Sequence, residues 1–333
     1  MLAEIAITPS IFDEAVHPDL ELWKEQLREL GSWMFPKTGP SPVMISDLFG
    51  GSWKKIILDN VKSIKDQKAR LYAQDIFKKL SRILVCRPAI GEWPGEDSIS
   101  WGREAILSNN LEPIDRIIGC KLVHDVISKE TRFFRCIDEV KDAGFWINVE
   151  SSWQQPMNIK DQTKALRKLC LHSDFLCLIT PYIQAGGNDE TDFAISIIKS
   201  AFTRPQGYSS VEIEIHTKMT TDPSKDPTIL INNISNVIRP NLKHNQKVRL
   251  VLRPDLLDRY LIVGNHAKLS DGLTQKTPMW GVALNHIAKK QDEKKGTPPT
   301  TWTLLNKNHL MELFNRYCCP NPNIIYGDID IIG

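Results

Sequence analysis

Side chains that could bind an anion are concentrated in residues 247–312, where short apolar runs alternate with polar turns. The apolar run 260–263 comes directly after Asp258 and Arg259. Polar residues near strand ends are where α/β folds usually place their sites. An arginine there can bind phosphate through two parallel hydrogen bonds and stays charged at physiological pH. We therefore predict a phosphate-binding site that includes Asp258 and Arg259, with a purely structural ion pair between them as the alternative.

Two histidines each precede a lysine by two positions. His216-Thr217-Lys218 follows residues 211–215, whose alternating pattern is typical of a half-buried strand. His266-Ala267-Lys268 lies upstream of a run that ends in Asn285. A histidine can act as nucleophile or general acid, while lysine and asparagine can stabilise a developing negative charge. We assign His216 and Lys218 to the phosphate site, and His266, Lys268 and Asn285 to a candidate catalytic set. For each histidine alone, an ordinary role at a turn or strand end remains open.

The densest basic cluster in the chain lies in the loop that follows. It consists of Lys289, Lys290, Lys294 and Lys295. Such a run is usually a solvated loop, but this one is close in sequence to the predicted pocket. We predict that these four lysines contact nucleic acid, with the solvated loop as the alternative.

From residue 161 to residue 317, predicted strands alternate with predicted helices. Four apolar or alternating runs read as strands, at residues 175–182, 211–216, 248–252 and 260–263. Between them, Asp226-Pro227 has the residue types of a helix N-cap and first helical position. Alternating strands and helices predict an α/β fold with a mixed, mostly parallel sheet covered by helices. We expect the four strands to be neighbours in one sheet.

The first half of the chain is predicted to be mainly helical. Helical periodicity covers roughly residues 18–30, 53–64, 68–84 and 108–121, and candidate strands lie at residues 5–9 and 145–149. A turn-rich joint follows the second candidate strand. We place a domain boundary there, between an N-terminal region of residues 1–151 and an α/β domain of residues 152–333.

Composition restricts the function classes. Hydrophobic residues make up 41% and charged residues 25% of the 333 residues, as in ordinary globular proteins. A net charge of +2 excludes a strong global attraction to nucleic acid or membrane, so such contacts need a local patch. Seven scattered cysteines without zinc-type spacing predict reduced thiols and no metal site or cofactor. With no signal peptide or membrane-spanning run, we expect a soluble, cytoplasmic protein.

Three strings in the second half carry a resemblance to a known family. They are Leu178-Ile179-Thr180-Pro181-Tyr182-Ile183, Leu257-Asp258-Arg259-Tyr260-Leu261-Ile262 and Gly272-Leu273-Thr274-Gln275. Residues 161–317 resemble a phospholipase D-like domain in the order of elements and in these strings. The resemblance implies metal-independent phosphodiester chemistry, in which one histidine attacks phosphorus and a second motif protonates the leaving oxygen. It also implies that two such motifs meet, within one chain or across a homodimer.

The motif that carries this chemistry departs from the family pattern. In the register that fits the strands best, Leu257 stands where the nucleophilic histidine is expected, and Arg259 replaces the lysine. A second register, with His266 as nucleophile and Lys268 and Asn285 on the phosphate, lacks the family's serine and has its acid two positions early. The first register keeps the affinity for an anion and loses the nucleophile.

The resemblance implies a catalytically impaired protein that binds nucleic acid or phosphate groups. Relatives of this type in prokaryotes often belong to defence or mobile-element systems, so the expected setting is a larger assembly with other protein subunits and DNA or RNA. Two alternatives remain open from the sequence. One is an active, metal-independent nuclease of the same fold, and the other is a structural adaptor between protein subunits.

Overall fold

The computed structural model describes residues 2–333 except 38, 132, 147–148, 185–186, 220–225, 255, 270–271, 290–296 and 320–326, and except the side chains of 143 and 145. The chain forms two compact units. The first unit contains Met1–Ser151 and Pro205–Tyr208, and the second contains Ser152–Arg204 and Ser209–Gly333. Both units combine helices with a sheet, so the predicted α/β class is confirmed. Within the described residues, no helix is both long and apolar enough to cross a bilayer.

The first unit is built on a five-stranded parallel sheet. Its strands are β1 (Ala3–Ile7), β2 (Val43–Asp47), β3 (Leu84–Cys86), β4 (Arg116–Gly119) and β5 (Phe134–Cys136), in the order β3-β2-β1-β4-β5. Every residue of β1 and β2 is buried, as is usual when helices cover both faces of a parallel sheet. Such short, uniformly buried strands show no alternation of polar and apolar residues. The sequence patterns therefore revealed the helices of this half but not most of its sheet.

The helices of the first unit are α1 (Leu20–Met34), α2 (Leu48–Ser63), α3 (Gln67–Leu80), α4 (Ser98–Leu111) and α5 (Lys121–Ile127). The carboxylates of Asp19, Asp66 and Asp97 accept backbone N–H groups in the first turns of α1, α3 and α4. The helix expected at 108–121, with an interruption at Pro113, is seen only as the end of α4, and the part after the proline is wrong because β4 lies there. The candidate strand at 145–149 is also not seen: Ala143–Trp146 forms a 3₁₀ helix, and residues 147–148 lie outside the described part.

A buried ion pair ties β1 to the residue that follows β3. Arg87 donates from Nε and Nη2 to the two carboxylate oxygens of Glu4, at 2.6 and 2.8 Å, and neither side chain is exposed. Nη1 of Arg87 donates to the carbonyl oxygens of Ser108 and Glu112, both at 2.9 Å. The hydroxyl of Ser46 donates to Glu4 as well. Through these hydrogen bonds the ion pair links β1, β2 and the end of α4, and both charged groups have hydrogen-bond partners.

The second unit contains a mixed eight-stranded sheet. Its strands are β6 (Ser152–Gln155), β7 (Phe175–Ile179), β8 (Glu212–Lys218), β9 (Lys247–Arg253), β10 (Tyr260–Lys268), β11 (Thr274–Leu284), β12 (Thr300–Leu304) and β13 (Gly327–Ile332). The order is β13-β9-β8-β7-β10-β11-β12-β6. Strands β7, β8 and β9 are parallel, and the other pairs are antiparallel. The four predicted strands are thus confirmed as neighbours, in the order β9-β8-β7-β10.

In the described part of this unit, the α-helices beside the sheet are α6 (Ile159–Leu171), α7 (Asp189–Phe202), α8 (Pro227–Ile238) and α9 (Lys307–Tyr317). Asp226 caps α8 by accepting the Thr228 N–H, as its position before Pro227 predicts. Helix α9 packs against the odd-numbered residues of β7, such as Cys177 and Ile179, mainly through Phe314 and Tyr317. Because side chains alternate along a strand, Thr180 lies on the opposite face, where its hydroxyl donates to Glu190 of α7. Residue parity on β7 and β8 therefore decides which side chains lie under α9.

Candidate functional site

The ends of several strands meet at one edge of the second unit's sheet. Ile179, the last residue of β7, pairs with His216 on one side and with Tyr260 on the other, and Tyr260 pairs with Ala283 near the end of β11. This register brings five side chains to the same edge, which we call the edge site: Tyr182, Glu190, Lys218, Arg259 and Asn285. The carboxyl ends of parallel strands are where α/β sheets usually bind ligands.

Arg259 is the cation of the edge site that an ion pair holds in place. Its Nε donates to Oε1 of Glu190 at 2.7 Å, and its Nη2 lies 2.5 Å from the same oxygen. The guanidinium carbon lies 4.9 Å from the ring centroid of Tyr182, which is 50% exposed. The Arg259 side chain keeps 18% of its surface exposed, and its Nη1 has no hydrogen-bond partner among the described residues. Glu190 thus orients the guanidinium and leaves one nitrogen for a ligand.

Asp258 does not form the ion pair that the sequence left open. Arg259 pairs with Glu190 instead. Asp258 is exposed, and its Oδ2 accepts a hydrogen bond of 3.4 Å from the Tyr260 hydroxyl. Burial, with added repulsion from Asp258, raises the pKa of Tyr260. The structure therefore does not show the ion pair between Asp258 and Arg259, and a role of Asp258 in the phosphate site stays a prediction.

The position that the resemblance assigns to the nucleophile is occupied by an exposed leucine. Leu257 is 74% exposed and directly precedes Asp258. Asn285 is exposed just beyond the end of β11, and Lys218 is half-buried at the end of β8. The edge site therefore offers cationic and amide donors, a tyrosine ring and one carboxylate. None of its five side chains is a histidine.

The candidate catalytic set of His266, Lys268 and Asn285 is not brought together. Antiparallel pairing places His266 opposite Lys276 and Lys268 opposite Thr274, at the far end of the hairpin from the edge site. His266 lies six residues beyond Tyr260, which corresponds to about 20 Å along a strand. The Nε2 atom of His266 is instead 3.4 Å from Oε2 of Glu212. The second register is therefore wrong in its geometry, because Asn285 adjoins Arg259 rather than His266.

His216 is also separated from the phosphate site that the sequence predicted. Its side chain is completely buried on the face covered by α9, with its ring centroid 5.8 Å from that of Tyr317. Burial lowers the pKa of His216, which favours the neutral imidazole. The assignment of His216 to a solvent-accessible phosphate is therefore wrong, because strand parity directs it into the core. Lys218 starts from the same face of β8 as His216, but it lies at the strand end, so its side chain can reach the edge site only around that end.

His216 belongs to a buried polar cluster that the sequence analysis missed. A ligand atom from each of Cys177, Glu214 and His216 lies within 4.8 Å of the other two. Burial acts to raise the pKa of Glu214, but the hydrogen bond with His216 and the charge of Lys276 lower it to about 2. Burial, together with Cys318, raises the pKa of the Cys177 thiol. The alternation in β8 indicates that Glu214 and His216 share a face, but nothing local indicates that Cys177 is their neighbour.

The predicted nucleic-acid contact of the lysine-rich loop stays a prediction. Lys289 is exposed after the buried Ala288, whose N–H donates to Oε1 of Gln162. Lys290, Lys294 and Lys295 lie outside the described residues.

Comparison with known proteins adds no relative. No family model matches the chain, and no curated protein matches it. Among solved structures, the C-terminal lobe of a budding yeast Argonaute aligns with 92% of this chain and 70% of that chain, at 10% identity and a TM-score of 0.18. That similarity is too low to carry any conclusion about fold or function.

Proposed function

We propose that the second unit is a catalytically impaired phospholipase D-like domain that binds phosphate groups, such as those of nucleic acid, at the edge site. The observation that carries this proposal is the position of Arg259. It is held by Glu190 at the carboxyl edge of the parallel strands, two residues after an exposed leucine that stands where a nucleophile would be needed. The edge site therefore keeps a cation, and it lacks a side chain that could attack phosphorus.

The remaining donors of the edge site suit a phosphate. Two N–H groups of Arg259 are directed at a single oxygen of Glu190, so those on Nη1 are available to an incoming anion. Lys218 and Asn285 can supply a second charge and an amide donor from neighbouring strand ends. With the two cations Arg259 and Lys218 against the single carboxylate of Glu190, this set has a positive balance. A singly or doubly charged phosphate compensates that balance.

The wider setting is part of the proposal and rests on the resemblance. The protein acts in the cytoplasm, as a component of a larger prokaryotic defence-type assembly with other protein subunits, with DNA or RNA, or with a second copy of itself. All seven cysteines are free, which is compatible with a reducing compartment. Lys289, with Lys290, Lys294 and Lys295, would extend the contact to a nucleic-acid backbone.

A structural adaptor is the second candidate, and one specific observation favours it. Leu257 and Tyr182 are both largely exposed beside an arginine whose charge Glu190 already balances. An apolar residue and a tyrosine around a neutralised ion pair would suit a protein partner as well as a phosphate. Binding measurements on Arg259 variants separate the two candidates.

The deciding experiment measures binding of single-stranded DNA and RNA oligonucleotides by wild type, Arg259→Ala and Arg249→Ala. Arg249 is a matched control, because it also lies on a strand and pairs with a carboxylate, Asp328, at 2.6 Å. We expect Arg259→Ala to weaken binding by about 1–3 kcal/mol, the usual contribution of a charge-assisted hydrogen bond. Arg249→Ala should have little effect. Equal binding by all three proteins, with a lower melting temperature only for Arg259→Ala, would favour the adaptor.

A further inference from the structure

Three potential metal ligands are held together in the core of the second unit. One atom each from the Cys177 thiol, the Glu214 carboxylate and the His216 imidazole lie within 4.8 Å of one another. Cys177 and Glu214 are register partners on adjacent parallel strands, and His216 follows two residues later on the same face. Their backbone positions are thus set by the centre of the sheet, which is the most rigid part of this unit.

The imidazole of His216 is poorly satisfied for a group with no exposed surface. Its Nδ1 has no hydrogen-bond partner among the described residues. Its Nε2 lies 3.4 Å from Oε2 of Glu214, which is long for a hydrogen bond. Buried polar groups in folded proteins almost always have partners, so such a side chain calls for an explanation. A metal ion between Nε2 and Oε2 of Glu214 would explain why these two atoms lie too far apart for a good hydrogen bond; it would not satisfy Nδ1.

A second sulfur adjoins this group from the end of α9. Cys318 shares one buried cluster with Cys177, Phe314 and Tyr317, and a rotation of its side chain would add its sulfur to the three ligand atoms. Two sulfurs, one imidazole and one carboxylate form a ligand set that suits tetrahedral Zn²⁺. Calcium and magnesium require oxygen ligands and do not fit this set.

The charges around the group permit a divalent cation. Oε1 of Glu214, the oxygen directed away from His216, faces Lys276 at 2.9 Å and Arg249 at 3.6 Å. These two cations are matched by Glu212 and Asp328, each at 2.6 Å. When Zn²⁺ binds two cysteines, each thiol loses its proton to solvent, so Zn²⁺ and two thiolates add no net charge. The neighbouring lysine and arginine therefore do not exclude the metal.

We propose that Cys177, Glu214, His216 and Cys318 form a structural zinc site that joins the sheet to the C-terminal end of α9. The site is structural because every ligand is buried, which leaves no position open to solvent or substrate. It is independent of the edge site, since its ligands lie on the opposite face of β7 and β8 from Glu190. Its failure would leave the proposed phosphate binding intact, and the reverse also holds.

Cobalt titration tests the site directly, because Co²⁺ occupies zinc sites and absorbs visibly when thiolates bind it. The full chain is stripped with a chelator under reducing conditions and titrated with Co²⁺, followed by Zn²⁺. We expect thiolate-to-cobalt absorption that saturates at one equivalent per chain and disappears when Zn²⁺ is added. Absence of this absorption from the folded wild-type protein overturns the proposal, as does the finding that Cys177 and Cys318 form a disulfide in the freshly purified protein.

Variants locate the site. Cys318→Ser should keep about half of the thiolate-to-cobalt absorption, since one of two sulfurs is gone. Cys177→Ser and His216→Ala should bind Co²⁺ at least about tenfold more weakly. Cys170→Ser is the matched control, because Cys170 is equally buried but lies on α6 outside the group. If circular dichroism shows that Cys177→Ser or His216→Ala does not fold, the cobalt absorption of the wild type and of Cys318→Ser decides the test. Equal loss of absorption in Cys170→Ser and Cys318→Ser contradicts the assignment.

Discussion

Arg259 and Glu190 are 69 residues apart in the chain and form an ion pair in which both arginine contacts fall on one carboxylate oxygen. Glu190 lies in the first turn of α7, and Arg259 directly precedes β10. The pair holds the guanidinium beside the ring of Tyr182 and also competes with any anion that approaches it. Both the orientation of the arginine and a limit on its affinity for phosphate therefore come from one carboxylate.

Glu190→Gln should strengthen the binding of phosphate-bearing ligands. The amide cannot balance the charge of Arg259, so the guanidinium becomes a better partner for an anion. A partly exposed ion pair contributes about 0.2–1 kcal/mol, which corresponds to an affinity gain of up to about fivefold. Titration of a fluorescent oligonucleotide measures the change. Asp328→Asn, which releases Arg249 in the same way, serves as the control and should change affinity little. Weaker binding by Glu190→Gln would contradict this prediction and show that the orientation of Arg259 by Glu190 outweighs the competition.

The protein should not cleave single- or double-stranded DNA or RNA in the presence of EDTA. Leu257 cannot attack phosphorus, and His266 lies about 20 Å along β10 from the edge site. Loss of a covalent nucleophile removes most of an enzyme's rate advantage, so we expect no rate above background. Gel assays with long incubation measure this. Cleavage in EDTA that His266→Ala abolishes would contradict the proposed impairment. Cleavage that requires a divalent ion would instead exclude phospholipase D-like chemistry.

Glu4→Gln should destabilise the first unit strongly. It leaves the Arg87 guanidinium buried without its counter-charge, and removal of one partner from a buried ion pair typically costs about 3–5 kcal/mol. The double variant Glu4→Leu/Arg87→Met should recover much of this loss, because neither charge remains. Urea unfolding followed by tryptophan fluorescence measures the free energy of unfolding. Arg28→Ala, at an exposed pair of 3.9 Å, is the control and should stay within about 0.5 kcal/mol of wild type. A Glu4→Gln variant as stable as wild type would show that the pair is dispensable, and an equal loss in the single and the double variant would show that the unpaired charge of Arg87 is not the cause.

His17 should make the first unit less stable in mild acid. Burial lowers the pKa of His17 from 6.5, against opposing contributions from the Ser10 carbonyl, Asp13 and Asp138. The unfolded chain therefore binds a proton at His17 at a higher pH than the folded chain does. The free energy of unfolding has its full value above about pH 6.5 and declines as the pH falls toward the pKa of His17 in the folded state. His17→Gln is neutral throughout and should show a smaller decline between about pH 7.5 and pH 5.5 in urea unfolding. An identical decline in wild type and variant would mean that other groups cause it.

Short-range patterns were enough to predict the core of the second unit. The four strands that became β7 to β10 are continuous or alternating runs of apolar residues, and Asp226 caps α8 as its place before a proline suggests. These features depend on residues within one or two turns of each other. Strand and helix propensity, capping and alternation act locally, so the sequence alone determines them. Arg259 could be recognised as a residue near a strand end for the same reason, because the apolar run that follows it is a local pattern.

Only the tertiary structure decided which residues meet. The pairing of Cys177 with Glu214 depends on the register between two strands separated by α7, and the pairing of Arg259 with Glu190 depends on where that helix packs. Antiparallel pairing of β10 with β11 placed Asn285 beside Arg259 and separated it from His266. A shift of one residue in any strand would reverse the face of each side chain. Register is a property of the whole sheet, which no local pattern in the sequence contains.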